Sequence, residues 1–484
     1  MCCERALALD AGHADTLQLM GLLSLQAKQY DAAIEWIGRA NQADPKTDYL
    51  ASLGTALQQQ GLHEEALKAF DKAVLIRPDD AELWTQLANA FVLAQRPDAA
   101  ILNYQQALKL NPRYWYAVYN YAVLLLQSMR FEEALANFNL CDELQPNHAA
   151  TLNHRGKTLH NLSRYREALS ESRRAHTLDP ANADICTDIG KCLQKLGRHA
   201  EALQWFDRAL NLQPNFVTAL TDKAFTLGEM QRFDEALILY RFVKGIDPEN
   251  ALADFNIGLL QQLNGNLEAG WRGYEARWKL SFLSSTANYP KLPQPLWRGE
   301  DIAGKTILVC ADEGQGDTIQ FVRYVPMLTA LGARVILLAQ GSLYPLLLGL
   351  PGISQCLRNL DGGLPAFDVH CPITSLPLAF RTTLGTIPAS YLPTPAGDRR
   401  QVWEDRLGPH GRLRVGLVWS GNPKHRNDHN RSIPLRALTQ ILDIDVTFVS
   451  LQKDPRTDDK AALLARSDIV DLTHISRILW RRRP

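Results

Sequence analysis

The chain has no Cys-x-x-Cys pair. Its eight cysteines are scattered, and Cys141, Cys186 and Cys192 fall in helical stretches where a small apolar residue is wanted, so neither a zinc centre nor a disulfide framework is supported. That usage fits a reducing cytoplasm. Neither sign of charge is in excess: Lys plus Arg and Asp plus Glu number 52 each and the pI is about 7.2, which excludes a global field for nucleic acid or acidic membrane. There is no uninterrupted apolar run either. The most apolar segment, from Val335 to Ile353, is broken by Gln340, Gly341, Ser342 and Pro345, and Glu4, Arg5 and Asp10 stand where a signal peptide needs apolar residues, so neither a membrane span nor an export signal is expected. Finally, the glycine turn at Gly314 and Gly316 lacks the third glycine of a dinucleotide fingerprint, Ile319 standing in its place, which argues against NAD or FAD.

What is present is a ruler. Pro45, Pro78, Pro112, Pro146, Pro180, Pro214 and Pro248 are spaced by 33 residues once and by 34 five times. Twelve residues before each lies an alanine (Ala33, Ala66, Ala100, Ala134, Ala168, Ala202, Ala236), and twenty-four before lies a small residue (Gly21, Gly54, Ala88, Ala122, Gly156, Gly190, Ala224). Small residues there let paired antiparallel helices approach, and bulky Phe70, Tyr104, Phe138, Phe206 and Tyr240 fill the groove to the neighbour. These spacings resemble the tetratricopeptide repeat, over about Ala11 to Pro248, with a degenerate eighth unit through Gly258 to Trp278. The resemblance implies an α-solenoid with a concave wall.

Two residues before each small position stands one polar residue: Ser52, Gln86, Asn120, His154, Asp188, Asp222 and Asn256. In the long arrays of eukaryotic O-GlcNAc transferases an asparagine ladder at this place holds a client peptide, and here Asn120 and Asn256 keep asparagine. The row is therefore either a peptide groove, with Asn120, His154, Asp188, Asp222 and Asn256 as its contacts, or a solvated helix face.

Three prolines in PKLPQPLW, residues 290–297, forbid helix and mark a junction. Beyond it short apolar runs alternate with helical ones: Thr306 to Ala311, Arg334 to Ala339, Ile353 to Leu357 and Phe367 to Cys371 as strands, then Val415 to Trp419, Val446 to Leu451 and Ile469 to Leu472, with a helix expected from Pro434 to Leu442. That pattern predicts parallel α/β sheets. The expected organisation is a repeat array over 1–280, a proline-rich junction over 281–303, and two α/β domains over 304–408 and 409–484. In the first, the strand ending at Cys310 runs through Glu313, Gly314 and Gly316 into a helix that Asp317 and Thr318 are placed to cap. Free amides and the positive dipole end there suit a polar or anionic substrate.

The succession of GWxxYExRW, PQPLW, EGQGDTIQFVRYVP, HCPITSLP, VGLVWSGNPKHRNDHNRSIPL and FVSLQK after a repeat array resembles bacterial repeat-containing glycosyltransferases related to glycosyltransferase family nine, the heptosyltransferase group. The resemblance implies a GT-B architecture, two Rossmann-like domains binding acceptor and nucleotide-sugar donor across a cleft without metal or resident cofactor. It implies that Asp317 is the base that deprotonates an acceptor hydroxyl, with Glu313, Gly314 and Gly316 in the acceptor-side loop. It also implies that Lys424, His425, Arg426, Arg431 and Ser432 hold the donor diphosphate. The bland readings are that Asp317 only caps its helix, that Glu313 is solvated, and that the segment from Gly421 to Pro434 is a solvated basic loop. His370 and Cys371 read as core or cleft wall, and Asp443 with Asp445, although they spell Asp-x-Asp, precede a strand rather than follow one. The 73 residues from Arg412 to Pro484 are about half of a Rossmann-like domain, and RILWRRRP matches neither strand nor helix periodicity. The expectation is a donor half cut short by a frameshift or premature stop, and unstable alone. The competing function is a non-catalytic interaction scaffold whose partner is a peptide.

Overall fold

Helix starts in the first half of the chain are written locally. Asp80 and Asn182 accept from the amides two and three residues on, and His13 and His148 accept through Nδ1 from the amide three on, so these four helices open on side-chain caps. The computed structural model describes residues 7, 10–280, 289–360, 363–389, 397–407, 411–423, 428–438 and 440–472. In it fourteen helices form seven antiparallel pairs, from Ala14–Gln26 with Tyr30–Ala43 to Val217–Glu229 with Phe233–Ile246, and the helices Ala251–Leu263 and Leu267–Tyr274 follow. The turn within each pair, like that between the last two helices, holds one residue in the left-handed region: Lys28, Gly61, Gln95, Met129, Ser163, Gly197, Gln231 and Gly265, with φ between 58° and 86°. Three of the eight are glycine, the residue that adopts this conformation without steric cost.

Packing follows the small and bulky positions. A Cβ built on Gly54 would lie 2.8 Å from the Phe70 ring, and one on Gly190 would lie 2.5 Å from that of Phe206, so at these crossings only a hydrogen fits between the helices. Side-chain bonds then stitch one pair to the next, as Gln18 to Ser52 (2.7 Å), Arg96 to Glu64 (2.8 Å) and Gln194 to Thr226 (2.8 Å). No described helix is long and apolar enough to cross a membrane.

The chain divides into two compact units, residues 1–260 and 261–484. The sequence pattern had carried the array to residue 280, whereas Leu267–Tyr274 and the 3-10 turn Glu275–Lys279 group with the second unit. There β1 (Thr306–Cys310), β2 (Arg334–Leu338), β3 (Ile353–Leu357) and β4 (Val369–Pro372) make a fully parallel sheet in the order β3-β2-β1-β4. The central β1 is buried from Ile307 to Cys310, as an apolar run covered on both faces must be. The proline-rich stretch is no mere linker: the Trp297 amide donates to the His370 carbonyl at 2.8 Å alongside β4, and Trp297 itself is buried in the core with Ile302, Val309 and Val335. A second parallel sheet has the order β5-β6-β7, from Arg414–Leu417, Thr447–Ser450 and Ile469–Asp471.

Two local expectations are corrected. The helix after β1 spans Gln315–Phe321 with Gly314 at its N-cap, so Asp317 and Thr318 lie inside the first turn and cap nothing, the Thr318 hydroxyl donating back to the Gly314 carbonyl at 3.3 Å. In place of a helix from Pro434 to Leu442 there is a 3-10 turn at Leu435–Leu438, preceded by a one-turn helix at Asp428–Arg431. The closing RILWRRRP segment lies outside the described residues.

Candidate functional site

The polar row runs along the first helices and is not a solvated face. Gln18 Nε2 donates to Ser52 Oγ at 2.7 Å. Asn120 Nδ2 donates to Asn89 Oδ1 at 3.0 Å. His154 packs against the rings of Tyr119 and Phe138, with Nδ1 3.1 Å from the Tyr119 hydroxyl and 2.9 Å from the Ala150 carbonyl oxygen, and burial lowers its pKa. These two side chains are committed to the array's own packing. Asp188 is buried between Lys157 and Lys191, 3.3 and 3.7 Å away, while Asp222 and Asn256 are half-buried. One oxygen each of Gln86 and Asp222 is buried and accepts no hydrogen bond, and Asp188 Oδ2 has only the Lys157 ammonium, 3.3 Å away. Burial raises the Asp188 carboxyl against the pull of both lysines, and it pushes Asp222 up to about 6. A wall with unmet acceptors at helical-repeat spacing is short of donors that a bound backbone or side chain supplies.

In the second unit the loop after β1 gathers acidic groups around Tyr274. The Glu313 carboxylate lies 3.5 Å from the Tyr274 hydroxyl, and Glu313, Asp312 and Asp317 all add to the effect of burial in raising the phenol's pKa. Asp317 is half-buried, its carboxylate folded over Gly314 and 3.1 Å from a Cβ built there; Gly316 is exposed. Beside them stands a group that residue patterns did not single out. Arg277 is fully buried: Nη1 donates to Glu275 (2.5 Å), and Nη2 donates to Thr374 Oγ1 (2.9 Å) and Ser375 Oγ (2.7 Å) and lies 3.4 Å from Asp312. The rings of Tyr274 and Trp278 sandwich its guanidinium, each centroid 4.5 Å away. Asp312 in turn accepts from the Thr374 amide and hydroxyl, so Arg277 ties the end of β1 to the end of β4.

Of the proposed diphosphate residues, Lys424, His425 and Arg426 lie outside the described residues, Arg431 is exposed, and Ser432 is half-buried. Ser432 Oγ accepts from the Gly421 amide at 3.0 Å and donates to Asp428 at 2.6 Å. The amides of Trp419 and Ser420 are taken by Gln452 Oε1, at 3.0 and 2.9 Å, so the three successive amides from Trp419 to Gly421 all have side-chain partners. Asp443 and Asp445 ion-pair with Arg466 and Arg412. His370 is buried against the Tyr289 hydroxyl at 2.7 Å, and Cys371 is buried in the core. No cluster of three metal-ligating side chains occurs among the described residues.

Three tetratricopeptide-repeat family models match residues 48–113, 85–149 and 162–221. The array is a tetratricopeptide-repeat (TPR) solenoid. A fourth model, for the anaphase-promoting complex, cyclosome, subunit 3, matches residues 1–73. The chain is similar to the small glutamine-rich tetratricopeptide repeat-containing protein 2 of Mycosarcoma maydis, 29% identical over 104 residues (21% of this chain, 30% of the relative). It is also similar to the peroxisomal targeting signal receptor of Candida albicans, 31% identical over 93 residues (19% and 16%). The chain thus spans less than a third of the length of these curated relatives. Among solved structures it is similar to YrrB, described as a TPR protein with an unusual peptide-binding site, at 23% identity and TM-score 0.33 over 39% of this chain and 96% of that one. It is also similar to pilF of Pseudomonas aeruginosa, at 20% identity and TM-score 0.38 over 43% and 94%.

Two TPR residues make stability pH-dependent in opposite senses. Asp222, raised from 3.8 to about 6 by burial, costs the folded array at neutral pH and returns that cost as the pH falls through about 6 towards 3.8. His160, pushed from 6.5 down to about 4 by burial and by Lys191 and Lys195, does the reverse over much the same range. Asp222→Asn isolates the first effect. The variant is expected to be more stable than the parent near neutral pH, by up to about 3 kcal/mol, and to lose that advantage by about pH 4. Urea unfolding of both proteins across that range reads the difference directly; a constant offset refutes the assignment.

Proposed function

We propose that the TPR array docks a partner polypeptide along the row from Ser52 to Asn256, and that the α/β unit is a glycosyltransferase-like domain of GT-B type. Its reaction is attack of an acceptor hydroxyl on the anomeric carbon of a nucleotide sugar. The observation that carries the first half is the pair of buried, unsatisfied acceptors on Gln86 and Asp222, four repeats apart at the same place on the first helix. A relative named as a targeting signal receptor agrees with such a role. The second half rests on the motif resemblance. It is supported by the β3-β2-β1-β4 order of the parallel sheet, that of doubly wound nucleotide-binding folds, and by carboxylates gathered where β1 ends, next to the strand at which the order reverses. In this reading Asp317 deprotonates the acceptor and Glu313, Gly314 and Gly316 border it, while Arg431 and Ser432, with the basic residues Lys424, His425 and Arg426 of the sequence before them, are assigned to the donor diphosphate.

Thermal unfolding of the full chain with a panel of nucleotide sugars separates this reading from a scaffold without catalysis. A donor at about a hundred times its Kd stabilises the folded state by about 2.7 kcal/mol. Asp317→Asn is expected to keep that shift while lowering transfer to a hydroxyl acceptor by about 100-fold or more. An unchanged rate removes the base assignment, and no shift with any nucleotide sugar favours the scaffold.

A further inference from the structure

In most repeats the second helix presses one bulky side chain onto the first: Ile37 on Gly21, Phe70 on Gly54 and Phe206 on Gly190, with Tyr104, Phe138 and Tyr240 at the same place in their repeats. All six are at most 1% exposed. In the fifth repeat, 34 residues after Phe138 and 34 before Phe206, the residue is Ser172. Its hydroxyl is buried without a hydrogen-bond partner, 2.8 Å from where a Cβ on Gly156 would lie. Where the ring is missing there is a cavity of about 410 Å³, in the size range of ligand pockets. The first helices of repeats four, five and six line it, together with Met129 and Phe131 at the turn of repeat four and Ser172.

The lining has two characters. Leu126, Met129 and Phe131 form an apolar wall, and two polar atoms of side chains lining the cavity are buried without a hydrogen-bond partner, Ser172 Oγ and His160 Nε2, while Asp188 Oδ2 lies 3.3 Å from the Lys157 ammonium. Both atoms are shielded from solvent and lack a partner, and the apolar wall beside them favours a ring over water. A carboxylate entering the cavity meets Asp188, and an ammonium meets Lys157 and Lys191. A neutral ring bearing one hydroxyl avoids both repulsions and restores the packing that the other repeats obtain from their own residue. We propose that this cavity is the anchor pocket of the TPR groove and takes a phenol ring, that of a tyrosine on the docked polypeptide, with its hydroxyl hydrogen-bonded to Asp188 or His160. The proposal rests on the peptide-docking reading above.

The test uses the full chain, 4-methylphenol and toluene as probes, and a random-peptide display library. Ser172→Phe supplies the missing ring from within, and Ser172→Leu is a smaller plug should the first fail to fold. The expected result is that 4-methylphenol raises the melting temperature of the parent saturably and more than toluene does, and leaves both plugged variants unmoved. Peptides selected on the parent share a tyrosine and bind the plugged variants about tenfold or more weakly. No response of the parent to 4-methylphenol overturns the pocket. Selected peptides without a shared tyrosine, or indifferent to the plug, leave the groove reading standing and overturn the anchor. If no peptide is selected while 4-methylphenol still binds, the groove reading fails and takes the peptide-borne tyrosine with it.

Discussion

Replacing Arg277 with methionine is expected to destabilise the α/β unit by about 3–5 kcal/mol, the cost of removing one partner from a buried ion pair. The guanidinium and the Asp312 carboxylate both have no side-chain exposure, so water cannot take over when the arginine is lost. Asp312 would keep its Thr374 bonds but lose its countercharge, Glu275 would lose its bond to Nη1, and Tyr274 and Trp278 would lose the cation between them. Urea unfolding followed by tryptophan fluorescence, with limited proteolysis to show that residues 1–260 stay resistant, checks the size and location of the effect. Adding Asp312→Leu to Arg277→Met should recover part of the loss, because the stranded charge goes with it. A loss below about 1 kcal/mol would mean that the pair is not sealed from solvent.

Phe206→Ala is expected to cost the array about 3–5 kcal/mol. The ring is fully buried over Gly190, whose missing Cβ leaves room for that ring and nothing else, so truncation opens a cavity that neighbouring backbone cannot close. In a stack in which each repeat rests on the next, the damage spreads to the sixth repeat's neighbours and lowers cooperativity as well as the midpoint. Ser172→Ala, at the equivalent place one repeat earlier, is expected to change stability by less than about 1 kcal/mol, since the hydroxyl it removes makes no hydrogen bond. Urea unfolding followed by far-ultraviolet circular dichroism compares the two. Equal losses would show that the Ser172 site is packed after all.

The TPR half is legible in the sequence because its contacts are local and repeat: a small residue, an alanine and a proline recur in phase until chance is no competitor. The strands of the α/β half are legible as apolar runs, to within two residues at their ends. Ser172 was legible too, as the one break in the row of bulky residues from Phe70 to Tyr240. Arg277 was not. At the end of an aromatic helical stretch an arginine reads as solvated, and what buries it arrives from Asp312, Thr374 and Ser375, residues 35, 97 and 98 positions away that no local pattern joins to it. The amides of Trp419 and Ser420 were likewise taken by Gln452 from 33 and 32 residues off. Helix starts failed where a competing cap existed, Gly314 displacing Asp317 by three positions.

The stitching bonds of the array, from Gln18 to Ser52, Arg96 to Glu64 and Gln194 to Thr226, each reach from one repeat to the next. Such a body carries tension in series. A pull along its axis loads every junction equally, and extension collects at whichever junction resists least. With a 410 Å³ void at its fifth coil, the array is a spring of uneven stiffness, softest at its middle, and whatever fills that void sets how far the two ends can travel.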